Sequence, residues 1–228
     1  MLQFLPSADC ATEVDLDRGE LPPIKTLGVL WCPMEDVFKL QVNQPPGKNE
    51  NSKRSFLKKM ATLFDPLGLL SPYTVHAKVL LQEIWASGVS PDEPVNKELS
   101  SKASRWFEEP PALKNIQIPC LRATAVVREV TLHFVDASQE AYGAACYSRH
   151  LYEDGTVSCC LVASKSRVTP LQAVSIPRLE LMAAVGGLKL SQAVSQALGI
   201  KKEEWIFWSD SMDAMYWIRW QSRSWPIV

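Results

Sequence analysis

The chain has 228 residues, of which 46% are hydrophobic and 21% are charged, and its formal net charge at pH 7 is −1. This is the composition of an ordinary globular protein with one large or two modest domains, and the charge balance argues against a strongly basic nucleic-acid-binding module. No apolar run approaches the ~20 residues of a membrane helix, and the start of the sequence has neither a basic flank nor a long apolar stretch, so we expect no membrane span and no secretory signal.

Residues 1–47 predict two strands. Residues 25–31 have the apolar character of a strand, a turn follows at 35–36, and residues 37–42 predict a second strand. The polar stretch 44–51 predicts a loop. Because an isolated hairpin is only marginally stable in water, we expect residues 1–47 to be the remnant of something larger.

Residues 48–124 predict a helical region that begins with an amphipathic helix. Four apolar residues stand at i, i+3, i+4 and i+7, which is the spacing of one helix face. The sequence DPLG at 65–68 ends this helix, because proline cannot continue it. The same segment carries a basic cluster that could contact phosphates, although a solvated helix face is the commoner explanation. The apolar stripe is Leu57, Met60, Ala61 and Phe64, and the basic cluster is Lys53, Arg54, Lys58 and Lys59.

Two further helices are predicted in this region. Ser71 is expected to be the N-cap of a helix that has Pro72 in its first turn and runs to about Trp85. Residues 97–107 predict the next helix. The segment 110–124, which contains three prolines, is expected to link this region to the last one.

Residues 125–228 predict an α/β domain with a mixed sheet. An antiparallel meander of three strands is followed by a crossover helix, a fourth strand and a second helix. The sequence EDG at 153–155 predicts a hairpin turn, and Gly199 closes the first helix. The fourth strand is wholly apolar, so we expect both of its faces to be buried. The predicted strands are 126–136, 141–149, 157–165 and 205–208, and the predicted helices are 177–198 and a segment capped by Ser211.

The six cysteines form no CxxC pair and no regular framework. The three histidines stand at no ligand spacing from them, which argues against a structural zinc site. We interpret the cysteines as reduced, mostly buried thiols of an intracellular protein, and we expect the protein in the cytoplasm, with the nucleus as the alternative.

Three carboxylates occupy unusual positions in the last region. Asp136 ends its first strand, Glu180 lies in the first turn of its first helix, and Asp210 follows its apolar fourth strand. Clustered carboxylates repel one another, and divalent cations such as Mg²⁺ or Mn²⁺, which prefer oxygen ligands, relieve that repulsion. Two such ions can hydrolyse a nucleic-acid backbone. Taken singly, the aspartates could instead cap the next segment and the glutamate could lie near a helix N-terminus, and spacing alone leaves both explanations open.

Several segments resemble one family, in the same order along the chain. Together they resemble the ribonuclease H region of Bel/Pao-type retrotransposon Pol polyproteins and the segment that joins it to the reverse transcriptase. The upstream segments are 26–31 (TLGVLW), 53–57 (KRSFL), 63–72 (LFDPLGLLSP) and 77–85. The downstream segments are 132–138 (LHFVDAS), 141–145 (AYGAA), 163–170 (ASKSRVTP), 176–184 (IPRLELMAA) and 207–211 (FWSDS).

The resemblance implies a ribonuclease H-like mixed sheet, truncated at its C-terminus and preceded by a small, mostly helical reverse-transcriptase remnant. Residues 1–47 are then the end of the palm, 48–124 the thumb or connection region, and 125–228 the ribonuclease H-like domain. The implied activity is hydrolysis of the RNA strand of RNA–DNA hybrids with two ions, Mg²⁺ or Mn²⁺. The implied partners are the hybrid and the remainder of the Pol polyprotein, with its polymerase and integrase parts. The implied catalytic and metal-binding residues are Asp136, Glu180 and Asp210.

Two departures from the family leave an alternative open. The polymerase motif Tyr-x-Asp-Asp is absent, and the chain ends before the family's final strand and fourth carboxylate. Asp213 stands too near Asp210 to replace that ligand and is expected at a helix N-terminus. These departures favour a catalytically inactive fragment that acts only as a nucleic-acid or polymerase-binding module, whereas the intact carboxylates favour the nuclease. An integrase-like DNA nuclease is a third possibility, against which the PRLEL context of Glu180 argues.

Four further residues lie close to these motifs. Lys165 and Arg167 follow the third strand and could contact substrate phosphate, although a solvated strand end is equally expected. Ser138 and Ser211 are expected to cap the chain next to the acids. The tryptophans at 205, 208, 217 and 220 are expected in the core.

Overall fold

The computed structural model describes residues 22–26, 29–40, 52–108, 113, 115–120 and 126–219. They form two four-stranded sheets and five α-helices. The strands are β1 (Ile24–Thr26), β2 (Val29–Cys32), β3 (Val37–Leu40), β4 (Gln117–Pro119), β5 (Val126–Ala137), β6 (Ala141–Tyr152), β7 (Val157–Val168) and β8 (Trp205–Trp208). The helices are α1 (Lys53–Met60), α2 (Ser71–Ala86), α3 (Lys97–Glu108), α4 (Ile176–Leu198) and α5 (Met212–Arg219), with a 3₁₀ turn at Lys202–Glu204. None of the helices in these ranges is both long and apolar enough to cross a bilayer.

The first sheet has the strand order β1-β2-β3-β4, and all of its pairs are antiparallel. The prediction of one strand at 25–31 is wrong, because the chain reverses and pairs Thr26 with Val29. The predicted turn before β3 is confirmed, with Asp36 at a φ of 53°. Part of the predicted link forms β4, where Ile118 pairs with Phe38, so strands from both ends of the helical region meet in one sheet.

The helices α1, α2 and α3 pack around one hydrophobic core. The helix predicted from the apolar spacing of residues 71–85 is confirmed as α2. The predicted inward face of α1 is wrong for most of its residues: Phe56 is 4% exposed, whereas Leu57 is 36% and Phe64 is 55% exposed. Of the predicted stripe, Met60 packs against this core. The ring of Phe56 lies 5.3 Å from that of Phe107 in α3, and this contact sets which face of α1 is buried. The helix also ends earlier than predicted, at Met60. The core residues are Phe56, Ala77, Leu80, Ile84, Val95, Leu99 and Trp106.

The predicted basic cluster contributes to this packing. Lys53 is buried, and its ammonium group lies 4.0 Å from the ring centroid of Trp85 and donates to the carbonyl oxygen of Val89. The guanidinium of Arg54 donates to both carboxylate oxygens of Asp92, at 2.6 and 3.0 Å. Both side chains therefore have structural partners.

The start of α2 differs by one residue from the prediction. Ser71 is the first helical residue and not the N-cap, which is Leu70. Pro72 lies in the first turn as predicted, where its missing N–H group costs nothing because the first N–H groups of a helix have no partner within it.

The second sheet has the strand order β7-β6-β5-β8. The strands β5, β6 and β7 form an antiparallel meander, and β8 runs parallel to β5 after the crossover helix α4. The predicted turns are confirmed, since Gly155 and Gly199 have φ angles of +80° and +71°. The predicted mixed-sheet α/β fold is therefore confirmed.

The burial predicted for β8 is wrong. Ile206, Phe207 and Trp208 are 40%, 43% and 57% exposed. Within the described residues β8 is an edge strand, and a strand at an edge has fewer neighbours to cover its two faces. The expected core position of Trp208 is wrong for the same reason.

The opposite edge of this sheet is covered by the helical region. The loop between α1 and α2 lies on β7, where the backbone N–H of Ser164 donates to the carbonyl oxygen of Leu67 at 2.8 Å. Gly68 has a φ of +71°, and a Cβ there would collide with the carbonyl oxygen of Ser164. From α2, Lys78 donates to the backbone and hydroxyl oxygens of Ser166, at 3.0 and 3.1 Å. The sequence DPLG therefore does more than end a helix, because its glycine allows close contact with the second sheet.

Five of the six cysteines lie in the described ranges, and all five are free. Cys32 and Cys146 are buried and Cys159 is exposed, so the expectation of mostly buried thiols holds only in part. Burial raises the pKa of both Cys120 and Cys146 to about 12, which keeps them protonated at neutral pH. Cys10 lies outside the described residues.

Candidate metal centre

Helix α4 lies unusually close to the sheet because small residues form its inner face. A Cβ on Gly187 would lie 2.5 Å from Cγ1 of Val135 in β5. One turn earlier Ala183 is 1% exposed, and one turn later Ser191 is fully buried. Glu180 lies two turns before Gly187 and therefore on the same face, which points it at the sheet.

A buried polar link fixes α4 to β5. The hydroxyl of Ser191 lies 2.9 Å from Nδ1 of His133 and donates to the carbonyl oxygen of Gly187 at 2.8 Å. The other ring nitrogen of His133 lies 2.9 Å from the hydroxyl of Thr131. Burial lowers the pKa of His133, so the ring is neutral at physiological pH and acts as a structural hydrogen-bonding group.

The two aspartates are brought together by the pairing of parallel strands. Phe134 of β5 pairs with Trp208 of β8. Asp136 and Asp210 each follow two residues later, at the same end of neighbouring strands. The sequence indicates that both acids are strand-terminal, and the register shows that their strand ends are adjacent.

Asp136, Glu180 and Asp210 form one cluster, in which each offers a carboxylate oxygen and these oxygens all lie within 4.8 Å of one another. The aspartates are exposed, whereas Glu180 is only 6% exposed. One detail of the prediction is wrong: α4 begins at Ile176, so Glu180 is its fifth residue and lies beyond the first turn. The helix dipole falls off within the first turn and therefore does not explain this buried acid.

The electrostatics of the cluster centre on Glu180. Burial raises the pKa of its carboxyl group, and the charges of Asp136 and Asp210 raise it further, while a backbone hydrogen bond from Ala137 acts in the opposite direction. Its Oε2 atom is buried and has no hydrogen-bond partner within the described part of the protein. A buried carboxylate oxygen without a partner is energetically costly unless a proton or a cation satisfies it. This donor set, three carboxylates and no nitrogen or sulfur, suits Mg²⁺ or Mn²⁺.

The neighbouring residues that the sequence singled out lie outside the cluster. Lys165 and Arg167 are exposed on β7. The Ser138 hydroxyl accepts from the backbone N–H of Ala141 at 3.1 Å, and that of Ser211 accepts from the N–H of Ala214 at 3.2 Å, so both serines cap the chain as expected. Asp213 lies in the first turn of α5, also as expected.

Sequence reasoning missed the residues that position the cluster. Gly187 and Ser191 bring α4 onto β5, and His133 anchors the helix from the strand. The available signal was the recurrence of small residues at every fourth position, Ala183, Gly187 and Ser191. Such spacing allows close approach of a helix to a neighbouring element, but it does not name the partner.

The family model of the Pao retrotransposon-like RNaseH-like domain matches residues 52–211, from the N-cap of α1 to just beyond Asp210. Among solved structures, the chain is similar to the foamy viral protease-reverse transcriptase in complex with dsDNA, at 10% identity and a TM-score of 0.45, over 83% of this chain and 45% of that one. A second foamy viral structure, protease-reverse transcriptase dRH with dsDNA, is similar at 10% identity and a TM-score of 0.37, over 90% of this chain and 38% of that one. The chain thus spans less than half the length of either structure. The comparison with curated proteins gave no match.

Proposed function

The chain belongs to the Pao retrotransposon-like RNaseH-like domain family, and from this premise we propose that it hydrolyses the RNA strand of RNA–DNA hybrids as a metal-dependent endonuclease. The observation that supports this best is the buried Oε2 atom of Glu180, which has no partner among the described residues and lies in a cluster with two exposed aspartates. A proton or a divalent cation would satisfy this oxygen. We infer the cation, because three carboxylates whose oxygens lie within 4.8 Å of one another provide the ligands that Mg²⁺ or Mn²⁺ prefers.

The three carboxylates have different tasks in this proposal. Asp136 and Asp210 are exposed, so ions bound to them would be accessible to a substrate phosphate. Glu180 is buried and would bind the ions from the protein interior. When bound, two Mg²⁺ or Mn²⁺ ions would activate a water and stabilise the leaving oxygen of the phosphodiester. The carboxyl group of Glu180 must lose its proton before it can bind a cation, so metal affinity is expected to rise with pH.

The partners follow from the same premise. We propose that the substrate is an RNA–DNA hybrid, and that the chain works together with the polymerase and integrase parts of a Pol polyprotein. Lys165 and Arg167 are proposed to contact the substrate backbone. The helices α1 to α3 are proposed to be the thumb or connection region of that polyprotein, and β1 to β3 the end of its palm.

The decisive experiment is cleavage of a labelled RNA–DNA hybrid with Mg²⁺ or Mn²⁺. We expect cleavage of the RNA strand by the unmodified chain and a loss of at least about a hundredfold in the Asp136→Asn variant, because one ligand and its charge are removed. Asp213→Asn is the matched control, since it removes the same charge three residues after Asp210 but outside the cluster, and it is expected to retain activity. Equal cleavage by Asp136→Asn and the unmodified chain would sink the assignment.

Metal binding has its own readout. Addition of Mn²⁺ is expected to raise the thermal unfolding temperature of the unmodified chain and of Asp213→Asn, and to leave that of Asp136→Asn nearly unchanged. A chain that binds Mn²⁺ through Asp136 yet cleaves no hybrid would contradict the hydrolytic part of the proposal and retain the metal site.

A further inference from the structure

A groove of about 340 Å³ lies between α4 and the strands β6 and β7 of the second sheet. Its floor is formed by Tyr142, Gly143 and Ala144 of β6. Leu181 and Met182, which directly follow Glu180 in α4, also line it, so the groove begins next to the carboxylate cluster. A polymer bound at the cluster can therefore extend into this groove without leaving the protein surface.

The charged side chains that line the groove are all basic. They are Lys165 and Arg167 from β7 and Lys189 from α4, and within the described residues no aspartate or glutamate lines it. All three cations are exposed, and in the part of the chain that the structure describes none of them forms an ion pair. In a chain with a net charge of −1, this concentration of positive charge is a local feature.

The strand register places these cations on two opposing walls. Lys165 pairs with Ala144, which in turn pairs with Val135, and directly paired residues lie on one face of a sheet. That face is the one covered by α4, because Val135 contacts the helix at Gly187. Arg167 lies two residues beyond Lys165 and so on the same face. Lys189 approaches from the helix on the other side.

The spacing suits a nucleic-acid backbone. The strand β7 lies two strand spacings from β5, which is about 10 Å. A backbone that passes the carboxylates can therefore bring a neighbouring phosphate to the cations. Ammonium and guanidinium groups both bind phosphate, the guanidinium bidentately.

We propose that Lys165, Arg167 and Lys189 form a groove that binds the sugar-phosphate backbone of an RNA–DNA hybrid beside the carboxylate cluster. The inference rests on the proposed function for its ligand and adds Lys189 and the helix wall to the binding surface. The groove holds and orients the duplex and reads no sequence, because its bonds are to phosphates.

The test is binding of a fluorescently labelled RNA–DNA hybrid by the full chain, measured by anisotropy in EDTA between about 50 and 200 mM salt. We expect the Lys165→Gln, Arg167→Gln, Lys189→Gln triple variant to bind at least about tenfold more weakly at the low-salt end. The slope of log affinity against log salt should become shallower by about 0.9 for each phosphate that the variant no longer neutralises. The single variant Lys189→Gln should reduce the slope by about one such step.

A matched triple variant, Lys97→Gln, Lys201→Gln, Lys202→Gln, removes the same charge from exposed positions outside the groove. It is expected to keep nearly the salt dependence of the unmodified chain. Equal weakening in the two triple variants, or no hybrid binding by the unmodified chain, would overturn the groove.

Because binding is measured without divalent ions, it fails or succeeds independently of cleavage. Groove-dependent binding by a chain that cleaves no hybrid supports the groove and contradicts the hydrolytic proposal. Cleavage by a chain whose hybrid binding is unaffected by the groove variant supports the hydrolytic proposal and contradicts the groove.

Discussion

The two edges of the second sheet differ in how they are covered. At β7 the α1–α2 loop and helix α2 meet the strand with backbone and side-chain hydrogen bonds, from Ser164 to Leu67 and from Lys78 to Ser166. At β8 the described residues leave three large apolar side chains 40–57% exposed. The difference matters because each edge lies next to a different part of the proposed site. Asp210 follows the exposed strand, whereas the proposed backbone-binding cations of β7 lie on the covered one.

The two edges therefore have different proposed roles, backbone binding at β7 and metal binding at the end of β8. The edge that we propose to bind the duplex is hydrogen-bonded to the helical region. Within the described residues the edge that carries Asp210 is less well covered, and we expect bound divalent metal ions to connect the end of β8 to β5 and α4. Four predictions test this difference, beginning with the largest expected effect.

The substitution Gly68→Ala should lower the free energy of unfolding by roughly 2–4 kcal/mol, measured by urea denaturation. An L side chain is strained at a φ of +71°, and its Cβ would push against the carbonyl oxygen of Ser164. Gly88→Ala is the matched control, since Gly88 has the same φ of +71° but no atom within 4 Å of an added Cβ, and it should cost only about 1 kcal/mol. Equal costs for the two variants would show that contact with β7 contributes nothing.

Saturating Mn²⁺ should stabilise the folded chain by up to about 2.7 kcal/mol at a hundred times the dissociation constant, measured by the shift in unfolding. The effect should grow with pH. The pKa of Glu180 is raised in the folded state, so its protonated form stabilises the metal-free fold at low pH, and this contribution is lost as pH rises through the folded pKa. Glu180→Gln cannot titrate and should remove both the metal effect and this part of the pH dependence. A Mn²⁺ effect that survives in Glu180→Gln would contradict the assignment of that ligand.

The substitution Gly187→Ala should lower the free energy of unfolding by about 1–2 kcal/mol and reduce Mn²⁺ affinity, because the added Cβ pushes α4 away from Val135 and takes Glu180 with it. Gly186→Ala is the control on the same helix, where an added Cβ meets nothing within 4 Å. It should stabilise the helix by up to about 1 kcal/mol through helix propensity alone. Opposite signs for neighbouring glycines support close packing in the centre of the sheet, and equal signs contradict it.

The substitution Trp208→Thr at the exposed edge should change the free energy of unfolding of the metal-free chain by less than about 1 kcal/mol, because much of the side chain already contacts solvent. Threonine keeps the strand propensity of the position. A decrease as large as that of Gly68→Ala would show that the β8 edge contributes as much stability as the β7 edge.

Much of the second sheet could be predicted from the sequence, because its signals are local. The turn at Gly155, the helix end at Gly199 and the apolar run of β8 each depend on neighbouring residues alone. The exposure of β8 could not be predicted, since it depends on which strand lies beside it. For the same reason the inward face of α1 was missed: Phe56 is buried by Phe107, about fifty residues away along the chain.

The same difference between local signals and long-range contacts applies to the carboxylates of the site. Their spacing leaves capping and metal binding both open, and it is the family resemblance of the surrounding motifs that singles out Asp136, Glu180 and Asp210. What makes them converge is the parallel register of β5 and β8 and the small residues of α4. Neither could be predicted from the acids themselves, because both depend on contacts between distant segments.

The pairing of β3 with β4 also has a consequence for the order of folding. It closes a loop of about eighty residues, for which the entropic cost of bringing the ends together is roughly 4 kcal/mol in an unfolded chain. Three residue pairs in a ladder offset little of this cost. Once α1, α2 and α3 have packed, their core already holds the intervening chain compact and most of that cost has been met. We therefore expect the first sheet to complete after the helical region, as a late kinetic phase that is visible at Trp31 and slowed by any change that weakens the core around Trp106.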